Sequence, residues 1–301
     1  MGSGDYTLTI DVGGVEQTYE GNHFDAVIEP GVFTRVFVDY PTAPPTAPPG
    51  LEPWQELISY RPSRALQEDL EVGKVFVQRL ERHARPINLD YYEVRFSSLP
   101  FNPEATRDAT RFSSGVQFLE YIRKHLNDFL DHPRFFPYSA ADERLWATSR
   151  AEGAIKRIEL AGDLQWGDVV VSTHELAGRD RGYWRFSTVK TDIDGLHPVS
   201  GNREFGIFRD ALGWGFYTRG ADRYALVFGE AEEAYGKGDA LWRALSQNVS
   251  GFINKQGSSA TVSTPISARY DWYPLCTVYW QPTSAWNGDT IVRDARQCIT
   301  W

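Results

Sequence analysis

Two periods divide the chain. From residue 155 onward apolar residues recur at every second position in "IKRIELA", "DVVVSTHEL", "GYWRFSTVKTD", "REFGIFRD", "WGFYTRG" and "RYALVFG", with glycine and aspartate between the runs. That alternation predicts β-strands. The connections are short, so the strands pair antiparallel, because parallel strands need crossovers of a dozen residues or more. Upstream the spacing is helical. Leu66, Leu70, Val77 and Leu80 predict a helix over 63–83, and Val116, Leu119, Ile122, Leu126 and Phe129 another over 114–131, ended by Pro133. Ser139 with Asp142 opens a third, through about 153, that buries Leu145 and Trp146. A fourth starts at Asp239, buries Leu241, Trp242, Leu245, Val249, Phe252 and Ile253, and stops at Gly257. Shorter strands are expected at 91–97 and 260–270.

At the N-terminus, Tyr6, Leu8, Ile10 and Val12 alternate and then meet Gly13-Gly14, a dipeptide suited to a hairpin turn. A strand at 32–40 runs into "PTAPPTAPPG", whose five prolines predict an extended polyproline II spacer. The expected fold is α+β: a twisted antiparallel meander covered on one face by the helices at 114–131 and 239–256, with barrel-like closure as the architectural alternative. The expected organisation is a β-hairpin unit at 1–40, a proline strap at 41–50 and a main domain at 51–301. Within that domain a helical part (51–154) precedes the meander and its helix (155–275), and an aromatic tail (276–301) follows.

Composition narrows the function classes. The chain has 301 residues, 42% of them hydrophobic, enough for a large core. Aromatics reach 14% against a single Met, so that core is built from stiff rings. A net charge of -9 opposes bulk attraction to nucleic acid or to an anionic membrane. No apolar run is long enough to span a bilayer, and no Sec-type signal opens the sequence, so the expected location is the cytoplasm as synthesised. Cys276 and Cys298 lie either as free thiols or as a disulfide closing a loop of about 20 residues, worth about 3 kcal/mol. No motif calls for a cofactor.

Candidate chemistry gathers in two polar runs, "GLHPVSGNREFG" (195–206) and "FYTRGADRY" (216–224), close enough in sequence to face each other across a hairpin. His197 is the natural acid or base, oriented by Asp194 or Glu204, with Ser200 as a nucleophile. The competing interpretation is a structural loop shaped by Pro198 and Gly201, in which His197 and Ser200 bond to the backbone and Asn202 occupies a turn. Asp192-Ile193-Asp194-Gly195 does not continue with calcium-loop spacing. His174 and His197, about 20 residues apart without HxH or HxxxH spacing, assign no metal. Between 174 and 223 seven arginines face seven acidic residues. Arg203, Arg219 and Arg223, with Asn202, Trp214 and Tyr217, could form an anion-binding cleft at 192–223, or the arginines could be ion-paired across strands. Trp166, Trp184, Trp214, Phe216 and Tyr217 fit core filling better than sugar stacking.

"HPVSGNREFG" and "FYTRGADR", followed by "ALWRALSQNVSGFIN" and "ARYDW", resemble a pattern in uncharacterised bacterial proteins associated with secretion-system cargo, over about residues 165–273. The resemblance implies a bacterial effector or accessory role and export without a signal peptide, and it brings no active site. The leading expectation is therefore a binding protein for a small polar, anionic ligand or a protein partner. A hydrolase or transferase using His197, and a toxin-like cargo acting on a membrane or partner through its aromatic surface, are the alternatives.

Overall fold

The computed structural model of the chain describes residues 56–270 except 59, 79, 81–86, 133, 160–165 and 226–230, together with strands at 6–12, 15–21, 34–39 and 275–280. The chain forms two compact units, one of Met1–Pro45 with Trp272–Trp301 and one of Thr46–Asp271. In the first, β1 (Tyr6–Val12) and β2 (Val15–Gly21) make the expected hairpin, with Val12 opposite Val15. Strand β3 (Thr34–Asp39) pairs with β14 (Leu275–Trp280), Val38 opposite Cys276. Residues 272–301 thus group with the N-terminal segment, where an aromatic tail of the main domain was expected. The proline run and the cysteine side chains lie outside the described residues.

The second unit is built on one antiparallel sheet. Its strands are β4 (Phe76–Val77), β5 (Ile87–Phe96), β6 (Phe135–Pro137), β7 (Ile155–Glu159), β8 (Trp166–Ala177), β9 (Arg181–Lys190), β10 (Val199–Asp210), β11 (Gly213–Tyr224), β12 (Ala260–Val262) and β13 (Ile266–Tyr270). They lie in the order β12-β5-β11-β10-β9-β8-β7-β6, with β13 also on β5 and β4 on β9. The fold is α+β as expected, and the sheet is a meander that does not close into a barrel.

Among the described residues, besides a helical turn at 56–58, four longer α-helices accompany the sheet: α1 (Arg64–Val72), α2 (Gly115–Lys124), α3 (Ala140–Ala147) and α4 (Ala231–Lys255). Hydroxyl caps start three of them, Ser63, Ser114 and Ser139 each accepting a backbone N–H of the first turn. The helix expected over 63–83 stops at Val72, because Lys74 takes φ 57 and the chain turns into β4. The helix over 114–131 is α-helical only to Lys124 and continues as a 3₁₀ turn at Leu126–Phe129. Helix α4 already runs at Ala231, before the expected start, because Asp239 is not a cap. Its carboxylate instead accepts from the Tyr92 hydroxyl at 2.8 Å and from Arg243 at 2.7 Å.

Aromatic rings hold α2 and α4 on one face. Trp184 stacks on Phe205 at 4.8 Å, and Phe205 meets Phe186 and, from α4, Trp242 edge-on at 5.8 and 5.5 Å. Phe118, Leu119 and Ile122 of α2 and Leu245, Val249 and Ile253 of α4 complete that core. On the opposite face α1 buries Leu66 and Leu70 against Ile155, Val170 and Val189. Phe205→Ala removes the ring at the centre of the cluster and is expected to cost about 3–5 kcal/mol in a urea titration, whereas Leu212→Ala, at a side chain 84% exposed, stays near zero. Equal effects would contradict this placement of the core.

A candidate ligand pocket under helix α4

The two polar runs do meet, as neighbouring strands rather than loops. In the β10–β11 pair Ser200 lies opposite Arg223, Asn202 opposite Ala221, Arg203 opposite Gly220 and Glu204 opposite Arg219. Only 195–198 of the first run is a loop, and "FYTRGADRY" is uninterrupted strand. A strand's two-residue period then separates what sequence proximity joined. Arg203 shares the helix-bearing face with Phe205 and Ile207, while Ser200, Asn202, Glu204, Tyr217, Arg219 and Arg223 point to the other face.

That other face is a closed polar core under residues 56–61. Glu204, 1% exposed, accepts from Arg185 at 2.5 Å, from Arg219 at 2.9 Å and from the Tyr217 hydroxyl at 2.7 Å. Arg185 also reaches Glu56 at 2.8 Å and lies 4.0 Å from the Tyr60 ring centre. The Asn202 amide donates to the Leu57 carbonyl and accepts from Ser187. Ser200 accepts from Gln78, and Arg223 is fully buried. Trp214 is core, stacked on Phe96 with Gly115 of α2 against its ring. An anion-binding cleft from these residues is therefore not formed. Ion pairing across strands, the competing interpretation, is what Arg203 and Arg219 do.

The proposed catalytic set is equally dispersed. Asp194 is clamped by Arg157 at 2.6 and 2.7 Å, away from His197 as a partner. His197 takes its contacts from Gln78, whose side-chain oxygen accepts the His197 N–H at 2.6 Å, and from the Val199 backbone, whose N–H donates to Nδ1 at 3.1 Å. Burial pushes its imidazole down to about 4, so the ring is neutral near pH 7. Glu204 lies on the opposite face. His174 has different neighbours, donating through Nε2 to Glu120 and accepting the Ala151 N–H. Among the described residues no group of three or more His, Cys, Asp or Glu is placed to hold a metal.

On the helix side lies a cavity of about 320 Å³ between the sheet and α4. Its floor is polar at one end, with Asn88, Asp90, Arg203 and Asp222 of β5, β10 and β11, and apolar at the other, with Phe135, Ile158, Val169 and Phe186 of β6 to β9. Ala234, Tyr235, Leu241 and Trp242 of α4 roof it, and His197 with Pro198 lies on its wall. Seven strands laid flat would span roughly 29 Å, so a cavity of this size that touches all seven requires the sheet to curl around the helix.

Two glycines make the polar end. A Cβ at Gly220 would lie 2.2 Å from Arg203 Nη2, and one at Gly201 would lie 2.2 Å from the Ala221 carbonyl and 2.7 Å from the Asp222 Cβ. In that space Arg203 Nη2 donates to both oxygens of Asp90 at 2.7 Å, and its guanidinium lies 4.2 Å from the Trp242 ring centre. Asn88 donates to Asp90 and, at 3.4 Å, to Asp222. Asp222 is 3.9 Å from the same Arg203 nitrogen. Burial, reinforced by Asp90, pushes the Asp222 carboxyl up to about 7. Of these groups the sequence singled out Arg203. Asn88 and Asp90 escaped it, although "NLDYYEV" places Asn88, Asp90 and Tyr92 on one strand face.

No family model matches the chain, and no curated protein matches it. Among solved structures, "Crystal structure of Ara h 8.0201" is similar over 56% of this chain and 99% of that one, at 10% identity and a TM-score of 0.30. A similarity that weak carries no argument about ligand or activity.

His197 generates a pH prediction. Its proton binds near 6.5 in the unfolded chain and near 4 in the folded one, so the unfolded state holds more protons between those values. Stability therefore falls as pH drops through that window, by about 3 kcal/mol when fully expressed. Asp168 and Asp222, whose folded carboxyls are raised to about 7, act in the opposite sense, losing stabilisation as pH rises. The measurement is thus a difference: His197→Gln should lose less stability than the parent protein between pH 7 and 4.5. Parallel curves would contradict a buried neutral imidazole.

Proposed function

We propose that this chain is a small-molecule binding protein whose ligand lies between the curled sheet and α4. The observation that carries the proposal is the cavity of about 320 Å³, at the lower end of the range for ligand sites. Its mostly apolar walls and the few polar groups at one end have the composition of such sites. The strands that form the floor are held from behind by the Glu204–Arg185–Arg219 cluster, so the site is preformed, and binding orders little.

Among the described residues, the His197 ring bonds to the Val199 backbone and not to Asp194, Glu204 or Ser200, which does not favour catalysis through it. Trp184 and Phe216, among the described residues, are fully buried and Trp214 is 6% exposed, so these rings offer no surface for a partner. Among the described residues no helix is long and apolar enough to cross a membrane. Effector, toxin and secretion-cargo roles draw no support from the comparisons.

The neutral dye N-phenyl-1-naphthylamine tests the proposal. Its fluorescence should rise saturably at one site per chain. Ala234→Trp and Leu241→Trp, which fill the cavity from the roof, should each weaken binding at least tenfold while leaving the thermal midpoint within a few degrees. Absent binding, or binding untouched by both substitutions, would contradict it.

A further inference from the structure

Resting on that reading of the cavity, we infer that its ligand carries a primary or secondary amine at one end of an apolar body, the ammonium against Asp222 and the body over the floor of β6 to β9. The argument is a charge count in an enclosed space. Five charged side chains line the cavity: Asp90, Arg203, Asp222, Glu233 and Lys237. Glu233 and Lys237 pair with each other at 2.7 Å across one turn of α4, and with side chains about two-thirds exposed they face water, where their fields are screened. Arg269 of β13 also acts on Asp222 but is paired with Glu232 at 3.5 Å, so the cavity lining itself holds two interior carboxyls against one guanidinium.

Arg203 is committed. Both Asp90 oxygens take its Nη2, the missing Cβ of Gly220 makes the room for that arrangement, and the Trp242 ring centre lies 4.2 Å from the guanidinium. An incoming carboxylate or phosphate would have to displace Asp90 and would add a third negative charge to the same end. Asp222 has weaker holds, an amide at 3.4 Å and the already occupied guanidinium nitrogen at 3.9 Å, and its side chain is 16% exposed on the cavity wall. An ammonium there balances the charges two against two and donates a charge-assisted hydrogen bond, which is stronger than a neutral one. At the other end Phe135, Ile158, Val169 and Phe186 offer no hydrogen-bonding side chain, so the remainder of the ligand is apolar.

The test compares 4-phenylbutylamine, 4-phenylbutanol and 4-phenylbutyrate, which share one apolar body, by calorimetry at pH 8 on the full chain. The amine should bind at least tenfold more tightly than the alcohol, and the acid most weakly. Asp222→Asn, nearly identical in shape, should bring the amine down to the alcohol's affinity and leave the alcohol within twofold. The acid binding tightest, the three lying within twofold of one another in the parent protein, or the amine preference surviving Asp222→Asn would each overturn the assignment. The parent series alone decides if the variant folds poorly. The naphthylamine dye separates the two levels of the argument: dye binding that none of the three compounds displaces removes the amine assignment and keeps the pocket, whereas no dye binding removes both.

Discussion

The whole arrangement depends on the two-residue period of paired β-strands. Once β10 and β11 lock in register, with Arg203 opposite Gly220 and Glu204 opposite Arg219, adjacent residues in sequence are committed to opposite faces of the sheet. A one-residue slip would turn Phe205 and Ile207 out of the aromatic core and bring Glu204 into it, so the core and the polar clusters fix the register together. Each face then solves its own electrostatic problem. Behind the sheet, Glu204 is satisfied by two guanidinium groups and a phenol, with Glu56, Leu57 and Tyr60 laid beside them. In front, Arg203 is neutralised by Asp90 and leaves Asp222 as the surplus charge.

A buried ion pair of this kind is weak evidence for stability, because desolvation offsets most of its Coulomb gain, while loss of one partner strands the other. Its value here is positional. Arg185 and Arg219 cross-link three adjacent strands through one carboxylate and hold the floor of the cavity still. The curled sheet and the rings of Trp184, Phe205 and Trp242 hold α4 above it. The cavity is what remains between a floor fixed from behind and a roof fixed at its centre.

Much of this was legible in the sequence, for identifiable reasons. Alternating apolar residues gave the strands of the meander, and the stripe of Leu119, Ile122 and Leu126 gave α2, because both periods are imposed by burial of one face. The hairpin relation of the two polar runs followed from their short separation. What failed was the assumption that polar residues share a side. Both faces of this sheet are covered, so Ser200, Glu204 and Arg223 are as buried as Phe205, and polarity no longer marks the outside. Asp239 was read as the start of a helix when it lies inside α4 and anchors Tyr92. The glycines at 236 and 238, poor helix formers, hid the first turns of α4 and with them the roof.

The central claim is that the functional face is the one under α4. Intermolecular NOEs between a bound naphthylamine dye and selectively labelled methyl groups test it most directly. Contacts to Ile158, Val169 and Leu241, with none to Leu57, Ile58 or Leu89, are the expected result. Contacts to Leu57 and Ile58 alone would place the ligand on the opposite face and contradict the account.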